Sequence, residues 1–274
     1  MRARRGAVIA ALALVAFWAL PGGLAEAGEP ETGEQARYRV SYGPAHLADL
    51  SLEVRCLEGA RAQGRLFAKS RGMASQVHPF RVQLDTLREE GGAALRAQTF
   101  IEERGEPRRY RSRFVREPRV RTEWEFRGVT RREQARLPGH GHDLLSWMLR
   151  LREEVAGQGE LQGRRRFVVW DGWKLVYLDV TPGRVEERWT EVGALRAQRF
   201  ALSRTFLNHE AEQAPRPAGQ SVQALGAIWI ELAPRALPVE MAFEAPIGEV
   251  RIEVQAHQGQ GCHPAGDSRR AGRD

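Results

Sequence analysis

Val120-Arg121-Thr122-Glu123-Trp124-Glu125-Phe126-Arg127 decides the fold of this chain. Val120, Thr122, Trp124 and Phe126 fall on one face of an extended segment, while Arg121, Glu123, Glu125 and Arg127 fill the other. Such alternation marks a strand with one buried face. The same period runs through Tyr38, Val40 and Tyr42, through Leu50, Leu52, Val54 and Cys56, and through Phe80, Val82 and Leu84. It continues in Leu95-Ala97-Thr99-Ile101 and in Tyr110-Ser112-Phe114. Segments 167–170 and 173–180 read as a hairpin across Asp171-Gly172, a strong two-residue turn signal. Further strands are expected over 184–190, 195–202, 223–232, 239–243 and 249–254.

One segment changes period. Leu144, Leu145, Trp147, Met148, Leu151 and Val155 recur at helical spacing, with Arg150, Arg152, Glu153 and Glu154 on the polar side. Asp143 is a natural N-cap after the loop from Gly139 to His142. The fold class is therefore mainly β. The expected architecture is a strongly curved antiparallel sheet, barrel or half-barrel-like, packed on one amphipathic helix over 143–155. One domain over 38–257 is expected, with a two-domain split near Gly157 as the alternative.

The ends of the chain speak to compartment. Arg2, Arg4 and Arg5 precede an apolar run over 7–20, then Pro21, Gly22 and Gly23, then Ala25-Glu26-Ala27. A charged start, a short apolar run and an A-x-A site predict a Sec-type signal peptide over 1–27, cleaved near Ala27. The run is short for a membrane span, which needs about 20 apolar residues. An uncleaved anchor is the alternative that the A-x-A site disfavours. No cysteine follows the site, so a lipid anchor is not indicated. The mature protein is expected to be periplasmic or secreted, without a transmembrane segment. Residues 28–37 read as a flexible lead and 258–274 as a disordered tail.

The formal net charge is +7 and falls to +5 without Arg2, Arg4, Arg5 and Glu26. Lys69 and Lys174 are the only lysines and Asn208 the only asparagine. Both residue types have AT-rich codons, so a GC-rich genome accounts for the bias towards arginine. Acids are interspersed and no reader motif is present, which argues against nucleic acid. Cys56 and Cys262 are the only cysteines. An exported chain with two thiols at the ends of strand candidates predicts one disulfide between them. That bridge requires the first and last strands to be neighbours. Their spacing fits neither a zinc cluster nor a C-x-x-C redox pair.

Several stretches together resemble the exported bacterial proteins of domain-of-unknown-function family 3108. They are Tyr38-Arg39-Val40-Ser41-Tyr42-Gly43, Asp143-Leu144-Leu145-Ser146-Trp147-Met148-Leu149-Arg150, Ile228-Trp229-Ile230 with Leu237-Pro238-Val239, and Gly248. The resemblance implies an exported, mainly-β protein without assigned activity and supplies no catalytic residues.

Candidate chemistry is sparse. His140 and His142 beside Asp143 are weak metal candidates by residue type, but their spacing is not the helical H-x-x-x-H pair. The competing reading is a loop whose aspartate caps the helix. Ser146 with His142 and Asp143 has the residue types of a hydrolase triad but no G-x-S-x-G elbow. Its simpler role is a hydroxyl bonding back to the Asp143 cap. Arginines are dense over 108–121. If the two strands there pair, Arg109, Arg111, Arg113 and Arg121 share a face that could bind an anionic group. The competing reading is a solvated face balanced by Glu117, Glu123 and Glu125. Trp124, Trp147, Trp170, Trp189 and Trp229 sit in patterns that predict burial, and Trp173 follows a turn.

No pattern calls for a cofactor, and no catalytic constellation supports an enzyme. The first expectation is a carrier or binder of an apolar or lipid-like ligand in a curved-sheet cleft. The second is an envelope interaction protein that meets an anionic partner, protein or polysaccharide, through its arginine face. A filled core with an arginine-rich outer face would favour the second.

Overall fold

The computed structural model describes residues 33–58, 61–89, 92–115, 118–208, 216–217, 222–232, 235–245, 248–260 and 262. The expected signal peptide over 1–27, the first residues of the expected lead and most of the expected tail lie outside them. The chain begins with β1 (Gly33–Tyr42), β2 (Ala45–Leu57), β3 (Arg61–Ser70), α1 (Gly72–Val77), β4 (Phe80–Glu89) and β5 (Ala94–Glu103). It continues with β6 (Glu106–Val115), β7 (Arg119–Phe126), β8 (Val129–Arg136), β9 (Gly141–His142) and α2 (Ser146–Gln158). The C-terminal part holds β10 (Arg165–Trp170), β11 (Leu175–Thr190), β12 (Gly193–Asn208), β13 (Arg216–Pro217), β14 (Gln223–Glu231), β15 (Pro238–Glu244) and β16 (Glu249–Gly259). Among the described residues no helix is long and apolar enough to cross a membrane.

All strands join one sheet in the order β8-β7-β6-β5-β4-β3-β2-β1-β16-β15-β14-β12-β11-β10-β9, with β13 beside β12. Neighbours are antiparallel apart from β9, which runs parallel to β10. The first and last strands pair, with Val40 opposite Ile252, and close what would otherwise be two open edges. The Cys56–Cys262 disulfide forms beside this junction, with Cα atoms 5.4 Å apart. The sheet itself does not close, because β8 and β9 end the order without pairing.

The sheet curls until its two ends overlap. Phe167 and Val169 of β10 belong to the main core, together with Val176, Leu178 and Val180 of β11. Val168, Trp170 and Leu175 point the other way into a second core with Val120, Ala135 and Leu137. The inner face of β7 and β8 therefore covers the outer face of β10 and β11. That double burial explains the unbroken apolar run of β10, since a strand covered on both faces loses its alternation. Across the overlap the Trp170 indole donates to Thr122 Oγ1 at 2.7 Å, and Thr122 and Ser112 share a hydroxyl bond of 2.8 Å. Gly141 permits the close approach, because a Cβ there would lie 2.5 Å from Leu137 Cδ1 and 2.8 Å from Phe114 Cδ1.

Helix α2 lies inside the curl and buries Trp147, Met148, Leu149, Leu151 and Val155. Burial of side chains this size contributes about 1.5–3 kcal/mol each. The helix begins at Ser146, but Asp143 still caps the turn before it. Its Oδ1 accepts from the backbone N–H groups of Leu145 at 2.8 Å and Ser146 at 3.2 Å, and Ser146 Oγ accepts from Asp143 N–H at 2.9 Å. Asp143 Oδ2 accepts from Thr86 Oγ1 at 2.6 Å, which ties the cap to β4.

Several expectations need correction. β3 and β8 are strands that alternation does not announce. On β3 the inward residues include the small Ala62, Gly64 and Ala68, and α2 packs against Gly64: a Cβ there would lie 2.7 Å from Leu149 Cδ1. On β8 only Ala135 is buried. β1 begins at Gly33 rather than Tyr38, and its inward Glu34 disguises the pattern. The turn after β10 has four residues, Asp171 to Lys174, because Asp171 Oδ1 accepts from the N–H groups of both Trp173 and Lys174. Arg152 is not on a polar side. It is buried at 3 % exposure. Trp189 is 79 % exposed at the far end of β11, against the burial expected from its strand pattern.

Candidate functional site

The outer face of β3–β8 is a grid of long polar side chains whose rows are set by strand register. Within β6, residues 109, 111 and 113 point outward because side chains alternate along a strand. Register then decides what each one meets. Arg111 lies opposite Glu123, and Glu123 opposite Arg132. Both guanidiniums reach that carboxylate, at 3.3 and 3.0 Å. The Arg132 and Arg111 guanidiniums hold the Glu123 carboxyl below its usual range. Further along this row Arg65 donates to Asp85 at 2.7 Å. Arg109 lies opposite Glu125, with 4.0 Å between charges, and its guanidinium sits 5.4 Å over the Phe100 ring.

The adjacent row is different. Arg113 lies opposite Arg121 on one side and opposite Arg96 on the other. The row runs Gln63, Leu87, Arg96, Arg113, Arg121, Gln134 across six strands. Arg96, Arg113 and Arg121 are exposed, and none of the three is in ion-pair reach of a carboxylate among the described residues. One step further along the strands, Arg119 lies opposite Arg136, a third like-charged pair. Two shallow troughs of about 350 and 490 Å³ flank the row and share Arg111 and Arg113 in their walls.

Register thus divides the four arginines singled out in the sequence. It brings Arg113 and Arg121 together and partners Arg109 and Arg111 with glutamates. Glu117, the third balancing acid, lies outside the described residues. Arg96 completes the row and was missed. Its outward position follows from the alternation of Leu95-Ala97-Thr99-Ile101, but its place beside Arg113 depends on strand register.

The histidine loop does not assemble a metal site. His140 is exposed and His142 is buried at 7 % exposure with its ring edge-on to Phe167. No group of three potential metal ligands occurs among the described residues. Burial, then the charges of Arg88 and Arg150, lower the His142 pKa to about 4. Asp143 and Ser146 spend their hydrogen bonds on the helix cap, which leaves no nucleophile–base pair.

A second polar cluster lies inside the curl, near the disulfide. Arg152 donates from Nη2 to Glu34 Oε2 at 2.5 Å and from Nε to the Ala236 carbonyl at 2.8 Å. His257 Nε2 lies 3.3 Å from Glu34 Oε1. Burial raises the Glu34 pKa, but Arg152 and His257 outweigh it and bring it down to about 2. Arg88, with no exposure at all, pairs with Glu153 of α2. Glu34, Arg88, Arg152, Glu153 and Cys262 help to line a cavity of about 20 Å³, roughly the space one water needs.

No protein-family model matches the chain, and no curated protein matches it. The fold is that of a β-barrel-like protein. One similar solved structure is the β-barrel-like protein of domain-of-unknown-function family 1849 from Brucella abortus. It has a TM-score of 0.54 and 10% identity, over 83% of this chain and 98% of that one. A "putative lipoprotein" from Parabacteroides distasonis aligns over 84% of this chain and 96% of its own, with a TM-score of 0.37 and 6% identity. At these identities the likeness to the first structure concerns the fold alone.

Proposed function

We propose that this is an exported binding protein that docks an anionic partner on the outer face of β5–β8. The observation that carries the reading is the run of like-charged cross-strand pairs, Arg96 with Arg113 and Arg113 with Arg121. Like charges directly opposite one another destabilise a sheet. The two rows on one side avoid this by placing Asp85, Glu123 or Glu125 against their arginines. Isolated like-charged pairs occur elsewhere on this face, Lys69 with Arg81 and Arg119 with Arg136, but among the described strands this row sets three guanidiniums in succession. An anion bridging the guanidiniums relieves the repulsion and gains charge-assisted hydrogen bonds.

The alternative, a carrier of an apolar ligand, asks for a cleft of roughly 300–1,000 Å³ beside the helix. The cavity beside the helix is about 20 Å³, and Glu34, Arg88, Arg152 and Glu153 stand in its walls with Val54, Ala62, Leu149 and Cys262. Export rests on the residues of the first segment and on the resemblance to family 3108. N-terminal sequencing of the secreted protein is expected to give Gly28, and recovery of Met1 from membranes would count against export.

The test of the docking face is a binding titration against anionic and neutral probes at low and high salt. Anionic probes should bind and be released by salt, since exposed charges are screened over about 10 Å at 0.1 M. Arg113→Glu should abolish the binding, and Arg39→Glu on β1 should leave it intact. Equal binding by the Arg113→Glu protein would overturn the reading.

A further inference from the structure

We infer that the partner is a linear acidic polysaccharide laid across the strands along the row Arg96–Arg113–Arg121. The inference rests on the docking reading above and adds the shape and chemistry of the occupant. Neighbouring strands lie about 4.8 Å apart, so three consecutive strands place three guanidiniums over roughly 10 Å in a straight line. The cationic track is one row wide in its central part. The next row alternates in sign, Arg65, Asp85, Gln98, Arg111, Glu123, Arg132, and its two carboxylates would repel a second line of anions. A single charged chain satisfies this pattern, whereas a lipid surface presents anions in two dimensions.

The uncharged groups select a sugar polymer. Gln63 and Gln134 stand at the two ends of the row, and Gln98 lies in the next row on the same strand as Arg96. Amides both donate and accept, which suits hydroxyl groups between charged ones. Single-stranded nucleic acid would ask instead for open aromatic faces on which bases stack. The aromatic nearest the row on β5, Phe100, has its ring face occupied by Arg109. Arginine is suited to carboxylate recognition because its planar fork matches the two oxygens. A polyuronate therefore fits the row: carboxylates for the guanidiniums, hydroxyls for the amides.

The full mature chain should be titrated with polygalacturonate, with defined galacturonate oligomers and with the monomer, at several salt concentrations. The expected result is no measurable binding of the monomer, affinity that climbs with chain length until three charges are engaged, and strong weakening by salt. Arg96→Gln, Arg113→Gln and Arg121→Gln should each weaken the polymer by roughly three- to tenfold, the range expected when one solvent-exposed hydrogen-bonded contact is lost. Arg39→Gln on β1 should change nothing in binding, and none of the row variants should melt below the parent protein. Length-independent binding would overturn the inference. So would anionic phospholipid vesicles, or single-stranded nucleic acid, that bind more tightly than polygalacturonate in an Arg113-dependent way. In those cases the anion-docking face itself would survive. Absence of binding to any anion at low salt would remove both.

Discussion

The buried cluster around Arg152 and the exposed row around Arg113 treat arginine in opposite ways. Inside the curl, Arg152 meets the Glu34 carboxylate and two backbone carbonyls, and Arg88 meets Glu153. A charge removed from water must be compensated, because leaving it alone costs several kcal/mol. On the outside, water itself screens Arg96, Arg113 and Arg121, and opposing like charges cost only a fraction of that. The interior arrangement is thus dictated by physics and says little about function. The outer row is permitted rather than required, and for that reason it carries information. The two regions should therefore respond to perturbation on very different scales.

The disulfide is expected to show the largest effect, on the buried side. Cys56 and Cys262 are 206 residues apart and Cys262 lines the cavity beside Glu34 and Arg152. Chain-entropy arithmetic gives about 5 kcal/mol for a loop this long, an upper bound. Urea denaturation of oxidised protein against a Cys56→Ser, Cys262→Ser double variant measures it. Loss below about 1 kcal/mol would mean that the pairing of β1 with β16 holds this end without the bridge.

Removing one partner of the interior pair comes next. Arg152→Met strands the Glu34 carboxylate in the core and should cost about 3–5 kcal/mol in urea denaturation. Replacing both partners, Glu34→Leu with Arg152→Met, should recover most of that loss, short of about 1–3 kcal/mol for the carbonyls of residues 235 and 236 left unpaired. If the double variant is no better than the single, the cluster is not an electrostatic unit.

Acid should separate the two regions again. His142 has a folded pKa of about 4 against an ordinary 6.5, so the unfolded chain takes up the proton first. Stability should fall as pH drops through 6.5 and level near 4, a loss of about 3 kcal/mol. Glu34, at about 2 in the fold against an ordinary 4.5, is charged and paired above pH 4.5. Its contribution should be lost as pH falls from there towards 2. Stability measured between pH 8 and 2 should therefore decline in two overlapping steps, and His142→Phe should remove the upper one. A flat profile between pH 6.5 and 4 would show that His142 is not held neutral.

The same contrast explains what could be read without a structure. The period of the apolar residues, two in most strands and helical over 143–155, located most strands and the helix of the core, since burial acts on each residue locally. The Cys56–Cys262 pairing followed from compartment and strand ends. β3 stayed hidden because its inward residues Ala62, Gly64 and Ala68 are small, and Gly64 is small to admit α2, a fact about another element. Arg152 was misplaced for a similar reason: its partner Glu34 lies 118 residues away. The arginines at 109, 111, 113 and 121 were visible as a face. Their division into neutralised and opposed members was not, because it depends on which residue of the next strand lies alongside.

The smallest expected effect concerns that division. Arg113→Gln removes one guanidinium from between two others and should leave stability unchanged or raise it by a few tenths of a kcal/mol at low salt. Glu123→Gln removes the carboxylate shared by Arg111 and Arg132 and should act in the opposite direction. Both shifts should shrink as salt screens the exposed charges. Paired thermal melts at low and high ionic strength would resolve them. If Arg113→Gln destabilised the protein at low salt as Glu123→Gln does, Arg113 would be serving the sheet, and the outer row would be one more set of structural ion pairs. A gain in stability where the sequence retains an arginine would place the reason for that arginine outside the fold, in whatever the row binds.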